Sequence, residues 1–456
     1  MDRVLILGLG LTGLSAIRKF KGRAELVGFD EGFERFSPDL RRRLRRDLKS
    51  VVTDRRLLPP RAREADTIVV SPGIPLAPLG ISRDDARVTG DLDLAFARRR
   101  GGTFLAVTGT NGKTTTTKLL AALLRAQFGR KRVIVAGNIG TPLLDEVGER
   151  KNLLYVVELS SFQLELAKRF RPTVGIFLNL SQNHLDRHKT MAAYFEAKAR
   201  LFRNFAARDA AVINLDDPYG IRLARRMQER RAGRVLGYSL ERPRALIDGL
   251  HLEGSTVFLR RGGKSSVFFQ MGATLLGPGK HNQSNLLAAA CAAASVGVRP
   301  ETILSAARRF RLPAHRLEFV REAGGVAYYD DSKATSVDAA RKAMESFPSR
   351  QIVALMGGQD KGMDFTPLFR ELTRRRNLKA LVFFGALGEK FSCLADRFRL
   401  PHRRVGRVSE AVAASHQMAS PGDVVLLSPG GTSYDQYTSY AERGEDFRRC
   451  VDRLSR

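Results

Sequence analysis

Residues 103–125, TFLAVTGTNGKTTTTKLLAALLR, constrain this chain more than any other stretch. Phe104, Leu105 and Val107 form a short apolar run; Gly109-Thr110-Asn111-Gly112-Lys113-Thr114-Thr115 follows, and then Leu119, Leu120, Leu123 and Leu124 recur at helical spacing. The predicted order is strand, glycine loop, helix. Glycines let successive backbone N–H groups turn toward a phosphate, and the helix N-terminus adds the positive end of its dipole. Lys113 would then meet the outer phosphates as a point charge, and the Thr114 hydroxyl is a hard oxygen ligand for Mg²⁺. Two residues separate Gly109 from Gly112 where four usually separate the glycines, so a subclass of phosphate loop is expected. The alternative, an ordinary Gly-rich turn, does not account for the Gly-Lys-Thr ending.

With 456 residues the chain is long enough for three domains at roughly 150 residues each. Its 77 Lys+Arg against 47 Asp+Glu give a net charge of +30, which raises the local concentration of anionic partners. The excess is scattered through runs such as Arg41-Arg42-Arg43, Arg225-Arg226, Arg230-Arg231 and Arg374-Arg375-Arg376, and reads as solvated helix faces. Nucleic-acid recognition by base stacking wants aromatics among the basic residues; these runs have almost none and the chain has no Trp. Three dispersed cysteines without CxxC spacing suggest a reducing compartment and no thiolate zinc site. The opening MDRVLILGLG reads as a first strand, and no apolar run is long enough to span a bilayer, so a soluble cytoplasmic protein is expected.

In chain order, residues 4–7 read as a strand leading into Gly8-Leu9-Gly10-Leu11-Thr12-Gly13 and a helix through Leu14, Ile17 and Phe20. This is a G-x-G-x-x-G in its expected setting, with Asp30 at the end of a second strand, residues 26–29. Taken alone the turn suggests NAD, but it can hold any diphosphate-bearing nucleotide. Residues 67–70 end in Ser71-Pro72-Gly73, either a plain loop or a ligand contact at the carboxyl edge of a sheet. Asn138 follows another strand, 133–136, and Glu158 ends the apolar strand 153–157, where a Mg²⁺-binding carboxylate belongs. His184 and His188 lie four apart without a third zinc ligand at fixed spacing. Lys198, in an amphipathic helix, reads from its residues as a surface lysine. Residues 250–269 suggest a hairpin, and polar residues from Gly279 to Asn285 open a buried Ala-rich helix. Strands alternating with helices continue to the end, with polar clusters at 331–336, 357–364 and 428–437, so a doubly wound sheet is predicted there.

Together these segments resemble the Mur ligase family, cytoplasmic ATP-dependent amide ligases that build the peptide of bacterial cell-wall precursors. The form of the loop at 108–114 is shared across the superfamily, folylpolyglutamate synthases included, and marks the reaction type. GLGLTGLS at 8–15, ELSSFQLE at 158–165, DSKATS at 331–336 and SYDQYTSYAERGEDF at 433–447 resemble the branch that adds D-glutamate to UDP-N-acetylmuramoyl-L-alanine. The resemblance implies an α/β fold of three domains. These are a Rossmann-like domain, 1–94, for the UDP-sugar; a central P-loop ATPase-type parallel sheet, 95–311; and a Rossmann-like doubly wound domain, 312–456, that closes over ATP and supplies the amino-acid site.

Residue by residue, the resemblance implies that Gly109, Thr110, Asn111, Gly112, Lys113, Thr114 and Thr115, with Asn285, Arg316, Asp331 and Lys333, bind ATP. Thr114 and Glu158 would hold one Mg²⁺, and His184 with a carbamylated Lys198 a second; Lys113, Glu158, His184 and Lys198 form the catalytic set. Leu11, Thr12, Asp30, Ser71, Gly73, Asn138, Ser160 and His184 are implied for the UDP-sugar, and Thr335, Lys361, Ser433 and Tyr440 for D-glutamate. Two positions depart from the family pattern: Tyr440 stands where Phe is common, and Ser336 where Asn is frequent. The implied reaction passes through an acyl phosphate with no covalent enzyme intermediate. A monomer is expected, with small-molecule substrates and neither nucleic-acid partner nor membrane insertion. A dehydrogenase reading rests on the first glycine turn alone, and a nucleic-acid-stimulated ATPase on the charge alone.

Overall fold

The computed structural model describes residues 2–99, 101–148, 151–243, 247–271 and 279–454. These fall into two compact units, Met1–Leu180 with His184–Gln270 and Asn285–Ala307, and Ser181–Asn183 with Met271–Ser284 and Arg308–Arg456.

The first unit carries two sheets. β1 (Asp2–Leu7), β2 (Ala24–Phe29), β3 (Ser50–Val52), β4 (Thr67–Val70) and β5 (Val88–Thr89) form a parallel sheet in the order β3-β2-β1-β4-β5. That is the Rossmann strand order 3-2-1-4-5, without a sixth strand among the described residues. The second sheet holds β6 (Thr103–Thr108), β7 (Val133–Gly137), β8 (Leu154–Glu158), β9 (Val174–Phe177), β10 (Ala210–Asn214), β11 (Arg234–Ser239), β12 (Gly249–Glu253), β13 (Thr256–Arg261) and β14 (Lys264–Gln270), in the order β14-β13-β12-β11-β10-β9-β6-β8-β7. Phe104, Leu105, Ala106 and Val107 are all buried, as are all five residues of β8. Strands covered on both faces read as continuous apolar runs, which is why the sequence announces them.

Register decides what these strands deliver. Val107 pairs with Glu158, Gly137 with Glu158, and Thr108 with Phe177. The loops after β6, β7, β8 and β9 therefore leave the sheet at one edge, the carboxyl edge where open α/β sheets bind ligands. The hairpin expected at 250–269 is present as β13-β14, and a third strand, β12, precedes it and joins it to the sheet. β12 pairs in parallel with β11, then β12-β13-β14 run antiparallel, with Gly262 and Gly263 turning the last pair at φ +57° and +82°. The first sheet is tied to the second: the Asp93 carboxylate, on the helix Asp91–Arg98, accepts from the N–H groups of Lys168, Arg169 and Phe170 at 2.7, 3.0 and 2.7 Å.

The second unit holds β15 (Glu318–Ala323), β16 (Val326–Asp330), β17 (Ile352–Gly357), β18 (Leu378–Phe384), β19 (His402–Arg404) and β20 (Val424–Gly430), in the order β15-β16-β20-β17-β18-β19. Only β15 is antiparallel to its neighbour. Apolar clusters pack on both faces, one under Ala340, Met344, Phe365 and Phe391, the other under Val408, Val412, Phe447 and Val451. This is the doubly wound α/β arrangement that the alternating pattern predicts.

Candidate active site

β6 leads through residues 109–112 into the helix Lys113–Phe128. Gly112 starts that helix at φ +82° and ψ −14°, a left-handed conformation that a side chain resists. A Cβ there would lie 2.3 Å from Asn285 Oδ1, which itself accepts from Thr116 Oγ1 at 3.2 Å. The loop is pinned from the end of β9: Asn179 O accepts from the Thr110 N–H at 3.0 Å, Asn179 Oδ1 from the Asn111 N–H at 2.9 Å, and Asn179 Nδ2 donates to Asn111 O at 3.1 Å. Lys113 Nζ folds back to donate to Gly109 O at 2.9 Å and Thr110 O at 2.8 Å. Thr114 is half-buried and Thr115 buried in the first helical turn.

Glu158 ends β8 and is buried. Its Oε1 accepts from Asn138 Nδ2 at 2.9 Å, whereas Oε2 has no hydrogen-bond partner. A buried carboxylate oxygen without a donor is costly unless a cation completes it, so the donor set fits a hard divalent ion. Lys198 overturns the surface reading: its residue is 1% exposed, Nζ donates to Gly109 O at 2.8 Å and stands 4.6 Å from the Tyr194 ring centre. Burial, and then the Lys113 charge, hold its pKa well below the usual 10.5 against the pull of Glu158. The surface reading fails because Tyr194 and Lys198 are four apart and share the inward face of the helix Met191–Ala199.

His184 is exposed at φ +54°, its ring edge-on to Phe162 at 5.1 Å. His188 is buried; its Nε2 lies 2.9 Å from Ser161 Oγ and its ring stacks on Phe162 at 5.5 Å. Burial foremost lowers the His188 pKa despite Glu165, so it is neutral near pH 7. Ser160 caps the helix Ser161–Leu166 in a reciprocal capping box with Gln163.

At the edge of the first sheet, Gly8 takes φ +85°, and a Cβ on it would sit 2.9 Å from Ser71 Cβ. Ser71 Oγ donates to Gly8 O at 2.8 Å. Both Asp30 oxygens serve the turn itself: Oδ2 accepts from the Leu9 N–H at 2.9 Å and Oδ1 from the Gly32 N–H at 2.8 Å. Leu11 is 69% exposed at the start of the helix Leu11–Phe20, an unusual position for a leucine, with Thr12 half-buried beside it and Gly73 exposed.

In the second unit, Asp331 follows β16 with its carboxylate buried, Oδ1 accepting from the Leu317 N–H at 3.1 Å and Oδ2 from Ser428 Oγ at 3.3 Å. Burial pushes its pKa up to about 8. Lys333 Nζ lies 3.6 Å from the Tyr440 ring centre. Thr335 is half-buried just before Ser336, which caps the helix Val337–Glu345. Ser433 is buried, its carbonyl accepting from the Tyr437 N–H at 2.8 Å; Arg316 is half-buried and Lys361 exposed.

The Mur ligase middle domain matches residues 107–293, and the Mur ligase glutamate ligase domain matches residues 315–431. Over 98% of this chain and 97% of its own length, the UDP-N-acetylmuramoylalanine–D-glutamate ligase of Pelotomaculum thermopropionicum is 39% identical; that of Acidobacterium capsulatum is also 39% identical, over 98% and 96%. The chain belongs to the Mur ligase family. Solved Mur ligases share the fold at low identity. The MurF ligase of Thermotoga maritima in complex with ADP aligns with TM-score 0.59 at 17% identity over 99% of this chain and 98% of its own; a MurF of Acinetobacter baumannii aligns with 0.60 at 16% over 98% and 93%.

This Mur ligase contains a residue that the sequence reading did not single out. Arg443 is completely buried, donating through Nε to Ser332 Oγ at 3.0 Å, through Nη2 to Ser332 O at 2.8 Å, and through Nη1 to Thr432 O at 3.2 Å and Gly431 O at 3.3 Å. It clamps the segment carrying Asp331 and Lys333 to the one carrying Ser433. The signal was available: Arg443, Phe447 and Val451 recur every four residues on the buried stripe of the helix Tyr440–Asp452. A second unforeseen cluster joins His315, Glu318 and Asp330, whose ligand atoms lie within metal-binding reach of one another. There, however, Arg448 pairs with both Glu318 and Asp330, and His315 Nδ1 is 2.6 Å from Asp330 Oδ2, so the negative charge is already compensated.

Proposed function

We propose that this chain joins D-glutamate to UDP-N-acetylmuramoyl-L-alanine at the expense of ATP, in peptidoglycan precursor synthesis. The full-length identity to ligases of that name supports the substrate assignment. The observation that carries the chemistry is Glu158: a buried carboxylate with a free Oε2, on the strand next to a phosphate loop whose Gly109 carbonyl takes hydrogen bonds from both Lys113 and Lys198. The proposed domains are residues 1–94, 95–311 and 312–456, and the proposed compartment is the cytoplasm; among the described residues no helix is long and apolar enough to cross a membrane.

In this reading Gly109–Thr115 cradle the ATP phosphates, and Lys113 exchanges its two loop carbonyls for the outer phosphates, where it stabilises the transferring group. Asn285, Arg316, Asp331 and Lys333 contact the adenine nucleotide. Mg²⁺ held by Thr114 and Glu158, and a second ion held by His184 and a carbamylated Lys198, would neutralise phosphate charge. The depressed pKa of Lys198 suits carbamylation, because only a neutral amine adds CO₂. Leu11, Thr12, Asp30, Ser71, Gly73, Asn138, Ser160 and His184 hold the UDP-sugar, with Asp30 acting through the Leu9 and Gly32 N–H groups that it fixes. The carboxylate of the alanyl substrate attacks the γ-phosphorus, giving an acyl phosphate and ADP. The amine of D-glutamate, bound by Thr335, Lys361, Ser433 and Tyr440, then attacks the activated carbonyl and expels phosphate. The protein positions the reactants and excludes water from the acyl phosphate.

The test is phosphate release with ATP, Mg²⁺ and UDP-N-acetylmuramoyl-L-alanine, offering D-glutamate, L-glutamate, L-lysine and meso-diaminopimelate separately, with product masses checked. Turnover with D-glutamate alone, abolished by Lys113→Ala, is the expected result. Turnover with a different amino acid would overturn the substrate assignment and keep the reaction class.

A further inference from the structure

Arg225, Arg226 and Arg230, from the clustered arginines at 225–226 and 230–231, take no part in the reaction above, yet in the first unit they line a cleft. The helix Pro218–Glu229 buries Gly220, Leu223, Ala224 and Met227 and leaves Arg222 and Arg225 exposed. Two adjoining cavities of about 700 and 280 Å³ run along it and share Glu196, Arg226 and Arg230. Arg200, Arg203, Arg222, Arg225, Arg226 and Arg230 line them, against only Glu196 and Glu229. Glu196 is spent on Arg226, to which both of its oxygens lie at 2.8 Å. Among the described residues none of the other five arginines has an ion-pair partner, and Arg200 Nε is buried with no hydrogen-bond partner. Burial foremost, and then Arg203 and Arg83, lower the Arg200 pKa against the opposing pull of Asp84 and Glu165.

We propose that this cleft is an anion site for a linear polyphosphate chain, free or carried by a nucleotide. Guanidinium forks match successive phosphate oxygens, and arginines spread along two adjoining cavities can engage several phosphates of one chain. The one aromatic residue lining the two cavities, Phe202, is buried, which leaves no platform for stacking the bases of a single strand. The combined space lies within the range of small-ligand pockets. The site is wired to the phosphate loop. Glu196 and Ala199 of the helix Met191–Ala199, and Arg200 just after it, line the cleft, while Lys198 of that helix reaches Gly109 O. An occupant would bear on the helix that positions Lys198.

The inference is independent of the ligase reading, and its test does not use turnover. Inorganic tripolyphosphate is titrated calorimetrically into the full chain carrying Lys113→Ala, so that the phosphate loop is disabled. One equivalent is expected to bind, and Arg222→Glu with Arg225→Glu should weaken it by at least about tenfold, the scale of one lost charge-assisted contact. Arg203→Glu, in the adjoining cavity, should act the same way, and the thermal midpoints of these surface variants should match the parent. Competition by ATP would assign the ligand to nucleotides; indifference to ATP would assign it to free polyphosphate. Binding that survives both charge reversals would overturn the proposal, as would binding that disappears with Lys113→Ala alone. Tighter, steeply salt-dependent binding of a duplex RNA through the same arginines would overturn it in favour of nucleic acid.

Discussion

Replacing Gly112 by Ala tests whether the phosphate loop works as described. The residue sits at φ +82°, where an L side chain costs about 1–2 kcal/mol. Its new Cβ would come to 2.3 Å from Asn285 Oδ1, so that amide must swing away and the 3.2 Å hydrogen bond from Thr116 is lost, a further ~1 kcal/mol. The sum, about 2–3 kcal/mol, falls on the loop proposed to cradle the ATP phosphates. If it is all spent in ordering the loop for nucleotide, ATP affinity should fall about 30- to 160-fold. Gly254→Ala is the control: its φ is also positive, +60°, but no atom lies within 4 Å of a Cβ there, so only backbone strain is added. Thermal melting and ATP titration of both variants separate strain from collision. Gly254→Ala should melt slightly lower and bind ATP normally, whereas Gly112→Ala should lose both stability and ATP. Equal behaviour of the two variants would refute the argument, because the Asn285 contact would then carry no weight.

Two further perturbations address the second unit. Asp331 has its carboxyl raised from 3.8 to about 8 by burial, so between those values the native state holds a proton that the unfolded chain has released. Its contribution to stability is therefore complete below pH 4 and lost as the pH rises through 8; Asp331→Asn should gain on the parent across that window, by at most ~6 kcal/mol for a shift of about four units. Nucleotide-free urea unfolding of both proteins at pH 4.5 and 8.5 measures it, and a pH-independent difference would contradict the burial argument. Arg443→Leu strands the carbonyls of Ser332, Gly431 and Thr432 in the interior and should cost about 3–5 kcal/mol, read as a lower melting point and faster proteolysis between 331 and 336.

The parallel strands were legible because each is buried on both faces and leaves an unbroken apolar run: β6, β8, β17 and β20 need no partner to be recognised. The phosphate loop was legible because its chemistry is local, glycines for backbone shape and a lysine and threonine at fixed offsets, all within seven residues. The addition of β12 to the second sheet was not, since residues 250–269 alternate like any hairpin, and only pairing with β11 decides which edge they extend. Asp30 shows the same limit. Its position marks a nucleotide turn, but that both of its oxygens are taken up by the Leu9 and Gly32 N–H groups depends on how β1 and β2 align.

Lys198 and Arg443 mark the boundary between the two kinds of information. The sequence by itself places each on a helix, and for Arg443 helical periodicity with Phe447 and Val451 also marks an apolar stripe. Charge and length make the surface the default reading for such residues, because an unpaired cation in the interior is expensive. Only the tertiary structure supplies the acceptors that make burial tolerable, the Gly109 carbonyl for Lys198 and the carbonyls of Ser332, Gly431 and Thr432 for Arg443. Those acceptors come from segments 89 and up to 111 residues distant in sequence, brought close by the register of sheets that no local pattern encodes.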